Sequence, residues 1–174
     1  MPEAELPFRR RCRLVSESVV GVVGLAPAES TGLKTILVPT DGSQASMRAL
    51  ALACSIAKKN KGKVYVVHVI EVKRSLPLDA ELEPEASEGE RILIQAEKVA
   101  DELDFEVEGE LLQAREAGHA VVDEAIERGV DGIIVGVDYR RPFGEFQLGR
   151  LVQYVLRNAP CLVWICRQPA EERE

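Results

Sequence analysis

The chain has 174 residues, a net charge of −7, 46% hydrophobic and 29% charged residues, which suits one domain with an adequate core and excludes a wholly disordered or low-complexity chain. Its apolar runs fall short of the ~20 residues of a membrane span. An acidic chain with three Tyr, four Phe and one Trp argues against general nucleic-acid binding. Cys12, Cys54, Cys161 and Cys166 form no CxxC pair and lie far in sequence from both histidines, so zinc-site spacing is absent. Small, buried, reduced thiols are the expectation, in keeping with a cytoplasmic protein.

Residues 1–32 read as an N-terminal extension, mobile or loosely docked, with at most one short strand. Arg9, Arg10, Arg11 and Arg13 precede an apolar Val19–Ala28, the outline of a secretory signal. Glu3, Glu5 and Ser16-Glu17-Ser18, and the Gly and Pro within the apolar stretch, weigh against that reading. Residues 33–168 are expected to form the domain, and 169–174 a polar tail.

From Lys34 on, strand and helix patterns alternate. Thr35–Val38 is a short apolar run ending at Pro39 and predicts a buried strand. Ser43 then caps a helix whose stripe is Met47, Leu50, Ala51, Cys54 and Ala57, with Lys58, Lys59, Lys61 and Gly62 as basic last turn and stop. Val64–Ile70 is the second strand. Leu78–Glu90 is acidic, carries Pro84 and reads as an exposed loop before a helix striped by Ile92, Leu93, Ala96, Val99, Ala100 and Leu103. Phe105–Leu112 alternates apolar or glycine with Glu and predicts an edge strand. A third helix is expected over about His119–Arg128, a fourth strand over Gly132–Gly136, and a final helix on Leu148, Leu151, Val152, Val155 and Leu156, ended by Pro160. Cys161–Cys166 is the fifth strand.

Five strands alternating with four helices imply crossover connections, hence an α/β fold: a five-stranded parallel sheet with helices on both faces. With the flavodoxin or Rossmann-like order 3-2-1-4-5, the first and fourth strands flank the ligand crevice. Residues 71–110 carry 14 acidic and 4 basic side chains, whereas 138–168 carry 5 basic and 2 acidic. The positive field beside the crevice favours an anionic ligand.

Two segments face that crevice. Asp41, in Thr40-Asp41-Gly42-Ser43, is placed to accept hydrogen bonds from a ribose or base, or to serve only as a turn or capping residue. The connection from Gly136 to Leu148 is longer than the usual ~2–6 residues. It holds Gly136, Gly144 and Gly149 with Arg140 and Arg141, and Gly149 opens a helix whose N–H groups can hold a phosphate.

Thr35-Ile36-Leu37-Val38-Pro39-Thr40-Asp41-Gly42-Ser43 with Ala45, Ala49, Leu50 and Ala53, then Val64–Val72, then Ile133–Cys166 with Ala159-Pro160, together resemble the universal stress protein domain. The resemblance spans residues 34 to about 168. It implies an adenine nucleotide alpha hydrolase-like fold and a stress-response module binding ATP or AMP, with or without Mg2+. Carried onto this sequence, it puts adenosine at Pro39, Thr40, Asp41 and Val69. Phosphate falls at Gly136, Gly149 and the backbone of Arg150, Leu151 and Val152, with charge from Arg140. The family's glycine, two residues, glycine, nine residues, glycine with Ser or Thr becomes Gly136, Tyr139 and Gly149-Arg150. Two departures therefore leave two readings open: the crevice holds a nucleotide, or Tyr139 or Arg150 fills it and the chain is a non-binding, dimeric protein-interaction module. The resemblance also implies a homodimer through strand 161–166, unless the N-terminal extension covers that edge. No Ser–His–carboxylate order supports catalysis beyond slow ATP hydrolysis. His68 reads as a core histidine and His119 as a surface or capping one.

Overall fold

The computed structural model describes residues 32–139 and 146–168. Its elements run β1 (Thr35–Pro39), α1 (Gln44–Asn60), β2 (Lys63–Glu71), α2 (Glu83–Asp101), β3 (Glu108–Ala114), α3 (Ala117–Glu127), β4 (Gly132–Val137), α4 (Arg150–Asn158) and β5 (Leu162–Arg167). One parallel sheet has the order β3-β2-β1-β4-β5, the flavodoxin or Rossmann-like order of the expectation.

Strand β1 is central because its apolar run can be covered on both faces. Ile36 and Val38 pack with Leu50, Ala53 and Cys54 of α1 and Ile92 and Ala96 of α2. Leu37, between them, points the other way, among Val121 and Ala125 of α3 and Val155 of α4. All three β1 residues are fully buried, the period-2 consequence of a pleated strand. At its start, both Oδ2 contacts of Asp131 accept backbone N–H groups, from Lys34 at 3.0 Å and Thr35 at 2.8 Å.

Helix α1 begins where Ser43 accepts the N–H of Ser46 at 3.2 Å. Its stop differs from expectation. Lys61, not Gly62, takes the left-handed conformation, with φ of 51°. Gly62 is needed for space, since a Cβ there would lie 1.9 Å from the Lys34 carbonyl oxygen.

The acidic stretch expected as a loop is helical from Glu83 onward. Pro84 sits in the first turn, where no N–H is missed, and Glu83 and Glu85 meet the positive end of the helix dipole. The edge strand starts at Glu108 rather than Phe105. Asp104 turns the chain with φ of 51°, and Phe105 and Val107 pack on the core before the ladder begins. Arg128 ties α3 to this edge. Its guanidinium donates to Glu124 and Glu110 and lies 4.3 Å from the Tyr65 ring centroid.

Candidate functional site

Strands β1 and β4 are neighbours whose chains leave in opposite directions, to α1 on one face and towards α4 on the other. Their carboxyl ends therefore part, which is where open α/β sheets bind ligands. A cleft of about 200 Å³ opens there. The β1 exit contributes Pro39, Thr40 and Asp41, and β2 contributes Val67, His68 and Val69. Val135 and Gly136 of β4, Ser46 of α1, Ala117 of α3, and Leu151 and Val152 of α4 complete it.

Thr40 is 6% exposed, and both its backbone groups and its side chain have partners. Its N–H donates to the Val67 carbonyl at 2.8 Å. Its carbonyl meets His68 Nδ1 at 2.8 Å. Its hydroxyl lies 3.0 Å from Ser46 Oγ and accepts the Gly42 N–H at 3.2 Å. Asp41 follows at the rim, exposed, with Oδ1 accepting the Ser43 N–H at 2.9 Å. Partial burial pushes its carboxyl up, but hydrogen bonds from Ser43 and Ser46 outweigh this and hold it below the ordinary carboxylate range.

Across the cleft, Gly136 comes so close to α1 that a Cβ would lie 2.1 Å from the Ala45 carbonyl oxygen. Helix α4 follows its N-cap, Gly149, which offers no side-chain cap. The Gln153 N–H bonds back to the Gly149 carbonyl at 3.1 Å, so the amides of residues 150–152 stand before the helical ladder, where anions bind.

The two family departures lie outside the cleft lining. Tyr139 stacks on Phe146, with ring centroids 5.5 Å apart. Arg167 of β5 lies 4.7 Å from the Tyr139 ring centroid. Arg150 is exposed and lines an adjoining hollow of about 60 Å³ with Glu71, Arg115 and Tyr154. Ala117 and Leu151 border both cavities. Arg140, Arg141 and Gly144 lie outside the described residues.

Of the residues expected to form the site, Pro39, Thr40, Asp41, Val69, Gly136, Leu151 and Val152 line one cleft, and Gly149 caps the helix facing it. His68, Ser46 and Ala117 were not anticipated there. His68 is half-buried at the cleft rather than in the core. An alternating position in a buried strand does not reveal that the strand's end is open. Ser46, three residues after the cap, is a hydroxyl on the buried side of α1, and that was a legible signal. His119 is a surface residue, stacked on Tyr154 at 4.0 Å and 3.3 Å from Glu116.

The site thus has apolar walls, a carboxylate at one rim and uncapped amides at the other. Among the described residues, no group of three or more His, Cys, Asp or Glu could hold a metal ion. Nor is any described helix long and apolar enough to cross a membrane.

The model of the universal stress protein family matches residues 32–167. A universal stress protein of Methanocaldococcus jannaschii is 30% identical over 145 residues, covering 80% of this chain and 85% of that protein. The structure of a universal stress protein from Archaeoglobus fulgidus superposes with a TM-score of 0.66 at 25% identity, covering 75% of this chain and 96% of that one. The structure of the universal stress protein from Archaeoglobus fulgidus in complex with dAMP has a TM-score of 0.62 at 23% identity, covering 75% and 95%.

Proposed function

The chain belongs to the universal stress protein family, and we propose that it is a stress-response regulatory module binding an adenine nucleotide, ATP or AMP, in the cleft between β1 and β4. One observation carries this reading: Asp41 and the N-terminal amides of α4 flank the same cleft, and neither Tyr139 nor Arg150 lines it. The complex of the Archaeoglobus protein with dAMP is consistent with such a ligand for this fold.

In this reading the adenosine rests against Pro39, Thr40 and Val69 with its ribose hydroxyls on Asp41. A carboxylate is an acceptor for two adjacent hydroxyls. The phosphates meet the Gly149 turn and the amides of Arg150, Leu151 and Val152, with Gly136 keeping the floor low and Arg140 adding charge. A longer phosphate chain, with Mg2+ in the case of ATP, extends towards the Arg150 hollow. We assign no catalytic residue.

The same reading takes the protein as cytoplasmic and homodimeric, with residues 33–168 as its functional unit and residues 1–32 as an appended segment. Strand β5 pairs on one side with β4, and Leu162 at its start is 52% exposed. An apolar edge of this kind invites pairing with a second copy.

Native mass spectrometry tests the proposal. The purified full-length protein should carry, or take up, one adenine nucleotide per chain. The Asp41→Ala protein should take up markedly less at the same concentration. A well-folded wild-type protein that takes up neither ATP nor AMP would leave the protein-interaction module as the better reading.

A further inference from the structure

His68 stands where three elements meet. It lines the nucleotide cleft and also the shallower hollow beside Pro84, Glu85 and Glu88 of α2. Its Nδ1 lies 2.8 Å from the Thr40 carbonyl oxygen. A carbonyl oxygen only accepts, so Nδ1 carries the proton and donates. On its Cδ2 side the ring is approached closely by α2: a Cβ on Gly89 would lie 2.9 Å from His68 Cδ2 and 2.4 Å from Leu111 Cδ1. The imidazole is therefore held between a glycine of α2 and the last peptide of the β1 exit.

The peptide it holds is the Thr40–Asp41 bond. That peptide is planar and includes the Asp41 nitrogen, so the orientation of its carbonyl constrains where Asp41 starts. The other end of Thr40 is already fixed by its N–H on Val67. Beyond it, Gly42 adopts φ of +79°, a conformation open to several ψ values in glycine. Past Thr40, its own hydroxyl accepts the Gly42 N–H and Asp41 Oδ1 accepts the Ser43 N–H, so the His68 contact is the restraint on the Thr40 carbonyl itself.

We infer that His68 is a positioning residue: its Nδ1–H fixes the Thr40 carbonyl, and through it the direction in which Asp41 faces the cleft. Its effect on ligand affinity rests on the nucleotide reading above; its effect on the loop does not.

Two measurements on the full chain test this. In the unliganded, nitrogen-15-labelled protein, the His68 imidazole should show a protonated Nδ1. His68→Ala should shift the amide resonances of Asp41, Gly42 and Ser43, whereas His68→Asn, whose side-chain N–H can stand in for Nδ1, should leave them near wild type. In AMP titrations, His68→Ala should weaken binding about tenfold and His68→Asn by less than about threefold. Adding His68→Ala to Asp41→Ala should cost nothing further, because one residue acts through the other. Unmoved Asp41–Ser43 amides in His68→Ala, or weakening that multiplies in the double variant, would overturn the inference. Should the wild type bind no AMP, the nucleotide reading falls, and the amide shifts still decide the role of His68.

Discussion

A methyl group on Gly136 would lie 2.1 Å from the carbonyl oxygen of Ala45 and 2.6 Å from the Ser46 amide nitrogen. Both are backbone atoms of the first turn of α1, so neither can swing aside. The glycine lets β4 pass directly beneath the helix whose cap, Ser43, also orders Asp41. Gly136→Ala should therefore destabilise the fold by about 2 kcal/mol or more, as overpacking against a rigid neighbour does. A urea midpoint well below wild type, measured without nucleotide, checks this. An unchanged midpoint would mean the glycine serves only the ligand.

Arg128 joins α3 to the sheet edge through Glu124, which is 9% exposed, and Glu110. The hydrogen bond that Arg128 donates to Glu124, and the charges of both carboxylates, hold the guanidinium firmly protonated. Arg128→Ala strands the Glu124 carboxylate in a buried position, and should cost about 1–3 kcal/mol. Arg128→Ala with Glu124→Ala should recover part of that loss. Chemical denaturation of the two variants checks both statements.

Burial pushes the Cys54 thiol up to about 11. Desolvation penalises the thiolate, the reactive form. At pH 8 the folded protein should alkylate Cys54 roughly two orders of magnitude more slowly than an unfolded thiol of ordinary pKa. The thiol's contribution to stability is complete below its unfolded value and is lost as pH rises through about 11. Mass-resolved iodoacetamide labelling with and without denaturant checks the reactivity.

The Asp41 carboxyl is depressed in the fold by its Ser43 and Ser46 partners, despite partial burial. A depressed folded value contributes stability that is present above the unfolded carboxylate value, near pH 4, and is lost as pH falls through the folded one. The stability difference between wild type and Asp41→Asn should be constant from about pH 5 upward and shrink on acidification. Denaturation midpoints taken across that range check it. A difference that grows on acidification would contradict the assignment.

All nine elements were legible because hydrophobic period acts locally: Thr35–Val38 and Gly132–Gly136 are apolar runs of strand length between helical patterns, whereas the sheet order was taken over from flavodoxin-like folds and the structure has it. The start of α2 was not. Pro84 and five glutamates read as loop chemistry, yet proline is tolerated in a first turn and glutamates favour a helix N-terminus. At the site, Asp41 and Gly149 were legible because strand ends and helix starts carry their own signals. His68 was not, because its role depends on a carbonyl 28 residues away. The bulk of Tyr139 suggested a blocked cleft. Its stacking on Phe146 and Arg167 is a contact across the sheet edge that no local pattern encodes.

In the proposed function the β1–β4 cleft takes an adenine nucleotide by its ribose and phosphate. Isothermal titration of nucleotide-stripped protein with AMP, beside Asp41→Ala, tests it most directly. One saturable site per chain is expected in the wild type, weakened about 10- to 100-fold in the variant, the range for losing hydrogen bonds to a charged acceptor. Binding of equal strength in the two proteins, or no heat from a folded wild type, would contradict it.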